Sequence, residues 1–195
     1  MTANTSATGG YIVPSTVAPA DDEALEDLLH DAIAGVTGIT ATLVRPKWQQ
    51  RPPNRPEAST DWCAFGITMS TADWSSQITH VPTGNGSDVQ TRHMTLDLLV
   101  SFYGPGAGGN AERLRDGILI PQNMEALAAQ GLEILDTGPI ITAPEFVNTV
   151  WVRRKDVTLQ IRRAVSRTYP VLNLLSAEGD LIADTGNTNS WNTEN

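Results

Sequence analysis

Alternation of apolar and polar side chains is strongest from Thr91 to Tyr103, TRHMTLDLLVSFY, where Met94, Leu96, Leu98, Val100 and Phe102 take every second position. Successive side chains of a strand point to opposite faces, so this run predicts a strand with one buried face and one face free for other duties. A second run, DVTLQIRRAV from Asp156 to Val165, repeats the pattern through Val157, Leu159, Ile161 and Val165. These ribbons frame the expected fold. A helical period precedes them, with Ala24, Leu25, Leu28, Leu29, Ala32 and Ile33 on one stripe. Asp21 or Asp22 stands where a cap belongs, the early carboxylates suit the positive end of the dipole, and Gly35 and Gly38 close the segment.

Shorter elements fill the gaps. Leu43 to Arg45 predicts a brief strand, and the four prolines of PKWQQRPPNRPEAST then exclude both a helix and a central strand. Trp48 in that extended loop either packs on the domain or meets a partner. Asp61 to Ser70 predicts a strand, irregular near Gly66, and SSQITHVPTGNGSDVQTRH predicts a long projecting hairpin that turns between Pro82 and Asp88. Such a ribbon serves either contact or structure. GPGAGGN then delivers a helix near Asn110 with Leu114 and Ile118 on one side, and Pro121 opens a shorter helix that Gly131 stops. Strands from Leu132 to Asp136 and Lys155 to Val165 follow, joined through Pro139 and Pro144. The order predicts an α/β fold of the α+β kind: one antiparallel sheet with helices packed on one face. Residues 1–17 are expected as a flexible arm, 18–175 as the domain, and 176–195 as a flexible acidic tail in which Trp191 is a partner anchor or a surface aromatic.

Composition narrows the partners. A chain of 195 residues suits one domain with a real core, and its charged fraction of 18% is below the roughly 25% usual for soluble proteins. The formal net charge of −9 disfavours passive binding to phosphate backbones. That charge is split along the chain. Asp21, Asp22, Glu23, Glu26, Asp27 and Asp31 meet no lysine or arginine before Arg45, while Arg153, Arg154, Lys155, Arg162, Arg163 and Arg167 crowd one late segment. Identical copies can attract each other's unlike faces in a head-to-tail ring; in a monomer the same residues are two solvated surfaces. Cys63 has no disulfide partner, and with no signal-type leader or long apolar run in the sequence no membrane anchor is expected and a reducing, aqueous compartment is.

Reactive chemistry finds little to build on. His30 lacks the HExxH spacing, and His80 and His93 flank the hairpin with Asp88 near its tip but without a third ligand, so a cross-strand polar pair is expected and no metal. GPGAGG matches GxGxxG literally. It lacks the Lys-Ser/Thr of a phosphate loop, and Glu125 falls in a helix instead of at the strand end a dinucleotide fold needs. Cys63 and the serines at 70, 75 and 76 sit in no nucleophile motif, and the scattered aspartates form no paired-carboxylate signature. No catalytic residue and no cofactor are therefore expected, and the chain reads as a structural protein.

The segments EDLLHDAIAGVTG, LVRPKWQQRPPNRP, TDWCAFGIT and QTRHMTLDLLVSFYGPGAGGNAERLRDGI together resemble the phage neck terminator family, with the likeness running from about residue 21 to 174. That resemblance implies a homohexameric ring that caps the tail tube, ends tube assembly and joins the tail to the head connector or neck proteins, leaving a channel through which genomic DNA passes without sequence-specific binding. It implies a location at the tail–neck junction of the virion, assembly in the bacterial host cytoplasm, and in contractile tails contact with the sheath protein. Candidate interface residues are Asp22 and Glu26 on the acidic helix, Trp48 in the loop, Arg92 on the ribbon, and Arg153, Arg154, Arg162 and Arg163 on the basic strand. The alternatives are a connector adaptor on the portal side of the neck and a small soluble enzyme.

Overall fold

The computed structural model describes residues 4–147, 149–174, 176–182 and 188–194. In chain order its elements are α1 (Glu23–Thr37), a 3-10 turn at Ala41–Leu43, β1 (Val44–Pro46), β2 (Trp62–Ala72), β3 (Gln77–Val81), β4 (Ser87–Tyr103), α2 (Ala107–Gly117), α3 (Pro121–Ala128), β5 (Leu132–Thr137), β6 (Ile141–Thr142), β7 (Glu145–Val147), β8 (Val150–Val152), β9 (Arg154–Tyr169), β10 (Ser176–Ile182) and β11 (Thr188–Glu194). The main sheet has the order β1-β2-β4-β9-β5, with β3 on β4 and β6 on β9. Two compact units emerge: residues 18–76 with 91–165, called the body here, and residues 1–17, 77–90 and 166–195.

Alternation builds the body. Cys63 and Phe65 on β2, Leu96 to Phe102 at every second position on β4, Val157, Leu159 and Ile161 on β9, and Leu132 and Ile134 on β5 form a single core with Leu25, Leu29 and Ile33 of α1 and Ala107, Ala111 and Leu114 of α2. The antiparallel register explains why the faces agree: Cys63 lies opposite Phe102, Phe65 opposite Val100, and Ile134 opposite Ile161. Each buried Val, Leu, Ile or Phe among them stabilises the fold by about 1.5–3 kcal/mol. The helices therefore cover one face, as the sequence predicts. The sheet is mixed where an antiparallel one is expected, because β1 joins β2 in parallel, Val44 opposite Cys63. The irregularity foreseen near Gly66 is a register shift between Ile67 and Met69.

Helix ends depart from simple capping. Asp22 occupies the N-cap position of α1 without a side-chain cap bond and with φ of 47°, while Gly38 closes the helix in the left-handed conformation, its N–H donating to the Ala34 carbonyl. Arg113 of α2 donates to the Thr37 carbonyl at 2.6 Å, placing a cation on the negative end of α1. Gly35 lies inside the helix.

The other unit is organised by hydrogen bonds. The Ser15 N–H donates to the Thr168 carbonyl at 2.8 Å, the Leu172 N–H to Ser6 Oγ at 2.7 Å, and the Asn173 N–H to the Asn85 carbonyl at 2.8 Å. Where the sequence reads a polar tail with little to bury, β10 and β11 pair antiparallel, Gly179 opposite Trp191.

Candidate assembly site

Below the proline-rich loop, the sheet face opposite the helices carries an arginine and aromatic cluster. Trp62 and Tyr103 are cross-strand partners on β2 and β4, and their rings stack at 4.3 Å with 10° between planes. Arg55 stands over the Tyr103 ring at 4.8 Å, Arg154 over the same ring at 5.7 Å, and Arg45 over Trp62 at 5.8 Å. Cations attract the negative faces of such rings. Glu145 receives Arg55 at 2.8 Å and also Arg154, which forks onto Asp156 at 2.7 and 2.8 Å. Burial opposes ionisation of Glu145, yet the two arginines outweigh it and hold the carboxyl below its ordinary range. Fork contact with Asp156 above all raises the Arg154 pKa. Arg45 also ties the loop to itself by donating to the Asn54 carbonyl at 2.8 Å.

Lys47 and Trp48 complete this surface. Lys47 Nζ donates to Ser101 Oγ at 2.8 Å on β4, and burial, helped by nearby Arg154, pushes its pKa down. Trp48 has φ of 55° and remains 71% exposed, but one ring edge lies over Gly66, where a Cβ would come within 2.5 Å. Both readings of Trp48 thus have a physical basis: one edge is packed, the rest is open. These side chains enclose a cleft of about 430 Å³.

The remaining expected residues have separate places. Arg162 binds both oxygens of Asp73, and Arg92 donates to the Asp73 carbonyl at 2.8 Å. Arg163 is one position along, so it points to the opposite face and is buried, bound to Asp21 at 2.7 Å and to the Ala20 carbonyl. This explains why Asp21 does not cap α1. Arg153 is exposed and donates to the Pro105 carbonyl at 3.4 Å, while Asp22 is exposed and Glu26 half-buried on α1. The structure thus gathers Arg154 beside the Trp48 loop and leaves the acidic helix start elsewhere.

A hairpin overlooked by the sequence reading adds to the exposed surface. Phe146 on β7 pairs with Trp151 on β8, ring centres 5.2 Å apart, and they remain 60% and 67% exposed. Its signal is present in the sequence, where EFV and VWV stand two residues apart, but three-residue strands beside prolines lack the length that periodicity detects.

The glycine-rich turn before α2 has an internal purpose. The Gly106 N–H donates to Asp61 Oδ1 at 2.7 Å, and a Cβ on Gly104 or Gly106 would come within 2.5 or 2.4 Å of Asp61 oxygens. A side-chain carboxylate already occupies the place a phosphate would need. Cys63 is fully buried, which raises its pKa to about 12 and keeps the thiol protonated. In the other unit His80 contacts Asp88 and Asn173, each at 2.7 Å. Among the described residues no group of three or more His, Cys, Asp or Glu side chains is arranged to hold a metal ion, and no helix is long and apolar enough to cross a membrane.

Fold and surfaces together define a mixed α/β domain with antiparallel strands, helices on one face of the sheet, and an arginine and aromatic cluster on the other. The sequence profile of the phage neck terminator proteins matches residues 23–185, and the chain belongs to that family of phage tail terminators. A search among curated proteins finds no match.

Proposed function

We propose that copies of this chain close into a homohexameric ring on the last ring of the tail tube, ending tube assembly and joining the tail to the connector proteins of the neck. The ring leaves an axial channel for genomic DNA, and in contractile tails its rim touches the sheath. Its place is the tail–neck junction of the virion, reached by assembly in the host cytoplasm. Family membership across residues 23–185 is the observation that carries this reading. Supporting it, the exposed Trp48, Phe146 and Trp151 offer the aromatic anchors that protein interfaces favour, and a net charge of −9 suits a conduit that DNA must leave without sticking.

The test is the protein's mass in solution, alone and with purified tail tubes, followed by imaging of labelled protein on isolated tails. A ring-sized species bound to one tube end is expected. A persistent monomer that binds neither end overturns the proposal, and label on the portal side instead of the tube end favours the connector adaptor.

A further inference from the structure

The body's basic residues divide by how their charge is met. Arg154, Arg162 and Arg163 each have a carboxylate of their own chain. Arg45, Lys47, Arg51, Arg92, Arg113, Arg153 and Lys155 have no ion pair among the described residues, and of these Arg45 and Lys47 line the cleft at the exposed Trp48. Arg45 spends its donors on the carbonyls of Thr42 and Asn54, and Lys47 on a serine hydroxyl. Those acceptors are neutral, so positive charge stays unbalanced at the cleft beside Trp48. The start of α1 shows the reverse imbalance. Asp22, Glu23 and Glu26 have no ion pair among the described residues, and Asp27 acts only at longer range on His30.

Within one copy the two imbalances are kept apart. Helix α1 packs through Leu25, Leu29 and Ile33 on the sheet face that holds Cys63 and Phe65, whereas the cleft is lined by Trp62, Ala64 and Tyr103 of the alternate set. The helix dipole favours acids in a first turn, by about 0.3–1 kcal/mol each. It gives no reason for the unpaired cations. A two-fold contact would need both patches within one interface, and they belong to opposite faces of the sheet, so a head-to-tail contact is the arrangement that satisfies both surfaces.

We infer that the first turns of α1 in one copy dock their carboxylates on the Arg45–Lys47 cleft of the next copy, and that this single contact, repeated, closes the ring. The inference rests on the ring proposed above and names the surfaces that make it. Trp48, at the mouth of the cleft, is covered when the neighbour arrives, and Arg162 and Arg163 take no part because their charge is already met within the chain.

Two full-length charge reversals test this. One carries Asp22→Lys, Glu23→Lys and Asp27→Lys; the other carries Arg45→Glu and Lys47→Glu. Either alone opposes like charges and is expected to associate at least about ten-fold more weakly than wild type by sedimentation. Mixed together, each supplies the charge the other lacks, and an alternating ring of wild-type mass is expected, with quenching or a shift of Trp48 emission. Association of either reversal at wild-type strength, or failure of two folded variants to recover on mixing, overturns the docking while leaving the ring intact. A wild-type protein that stays monomeric with and without tubes overturns the ring and the docking together. Should the cleft reversal misfold by circular dichroism, the milder Asp22→Asn, Glu23→Gln, Asp27→Asn chain decides: wild-type strength, unchanged between about 50 mM and 500 mM salt, overturns the contact.

Discussion

Every apolar side chain described as buried, from Leu25 to Val165, belongs to the body, while among the described side chains of the unit of residues 1–17, 77–90 and 166–195 none is buried. The body follows the ordinary rule that apolar area removed from water outweighs chain entropy. Its counterpart is assembled from backbone and hydroxyl hydrogen bonds, each worth only about 0.5–1.5 kcal/mol net because water offers the unfolded chain the same partners. Tyr11, Val17 and Leu174 stay exposed there instead of forming a core. That unit should therefore open locally long before the body unfolds.

Truncating Phe102, which has no exposed surface, breaks the comparison most directly. Phe102→Ala is expected to lower the stability of the body by about 3–5 kcal/mol, read as a fall in the denaturant midpoint. Leu174→Ala, at a position 76% exposed, should move the same midpoint by less than about 0.5 kcal/mol. Equal effects would show that the second unit has a core after all.

A smaller loss is expected where polarity enters the body's interior. Arg163 interrupts the apolar set of β9 and satisfies its charge with Asp21 and the Ala20 carbonyl. Asp21→Ala leaves a buried cation with one partner and should destabilise by about 1–3 kcal/mol, since Asp21 is half-exposed and water replaces part of the contact. Glu23→Ala, at an exposed position in the first turn of α1 with no ion pair among the described residues, serves as the control. If both variants melt together, the Asp21 contact contributes nothing.

Legibility in the sequence follows the same division. Met94 to Phe102 and Val157 to Val165 announce the two long strands because half-buried strands must alternate, and Leu25, Leu29 and Ile33 announce α1 for the corresponding helical reason. Arg163 was readable by parity alone: it shares the register of Ile161 and Val165, so it had to point inward beside its exposed-looking neighbour Arg162. Its partner was not readable, because 142 residues separate it from Asp21. Long-range pairing also hid the arginine cluster, whose members come from β1, the loop and β9. The parallel pairing of β1 escaped because three residues carry too little pattern to fix a direction. Periodicity had nothing to detect in β10 and β11, whose sequences SAEGDLI and TNSWNTE carry no regular apolar alternation.

Gly66→Ala sharpens the contrast at a still smaller scale. A Cβ there would meet the Trp48 ring at 2.5 Å, but that ring is largely exposed and free to swing outward. The body should lose at most about 1 kcal/mol, while the Trp48 emission shifts toward that of a solvated indole. An unchanged spectrum, compared against Trp48→Phe to isolate its signal, would mean that the indole does not rest on Gly66.

The gentlest perturbation is pH, acting on the unit without a core. Asn173 donates its amide to the Pro82 and Gly84 carbonyls at 2.8 and 3.1 Å, which turns its oxygen toward His80 Nε2, while Asp88 receives Nδ1. Both ring nitrogens must then carry protons, and the Asp88 hydrogen bond, followed by that of Asn173, raises the His80 pKa above 6.5. Because the folded value lies above the unfolded one, this contribution is complete below about pH 6.5 and disappears as pH rises through the raised folded value. Amide exchange at Asn173, whose N–H is bonded to Asn85, should therefore lose protection across that interval after correction for intrinsic rates. Core amides such as that of Val100 should show no matching change. His80→Gln should remove the pH dependence altogether. A pH response that survives this substitution would locate the sensitive group elsewhere, and one that reaches Val100 would mean that the two units open together.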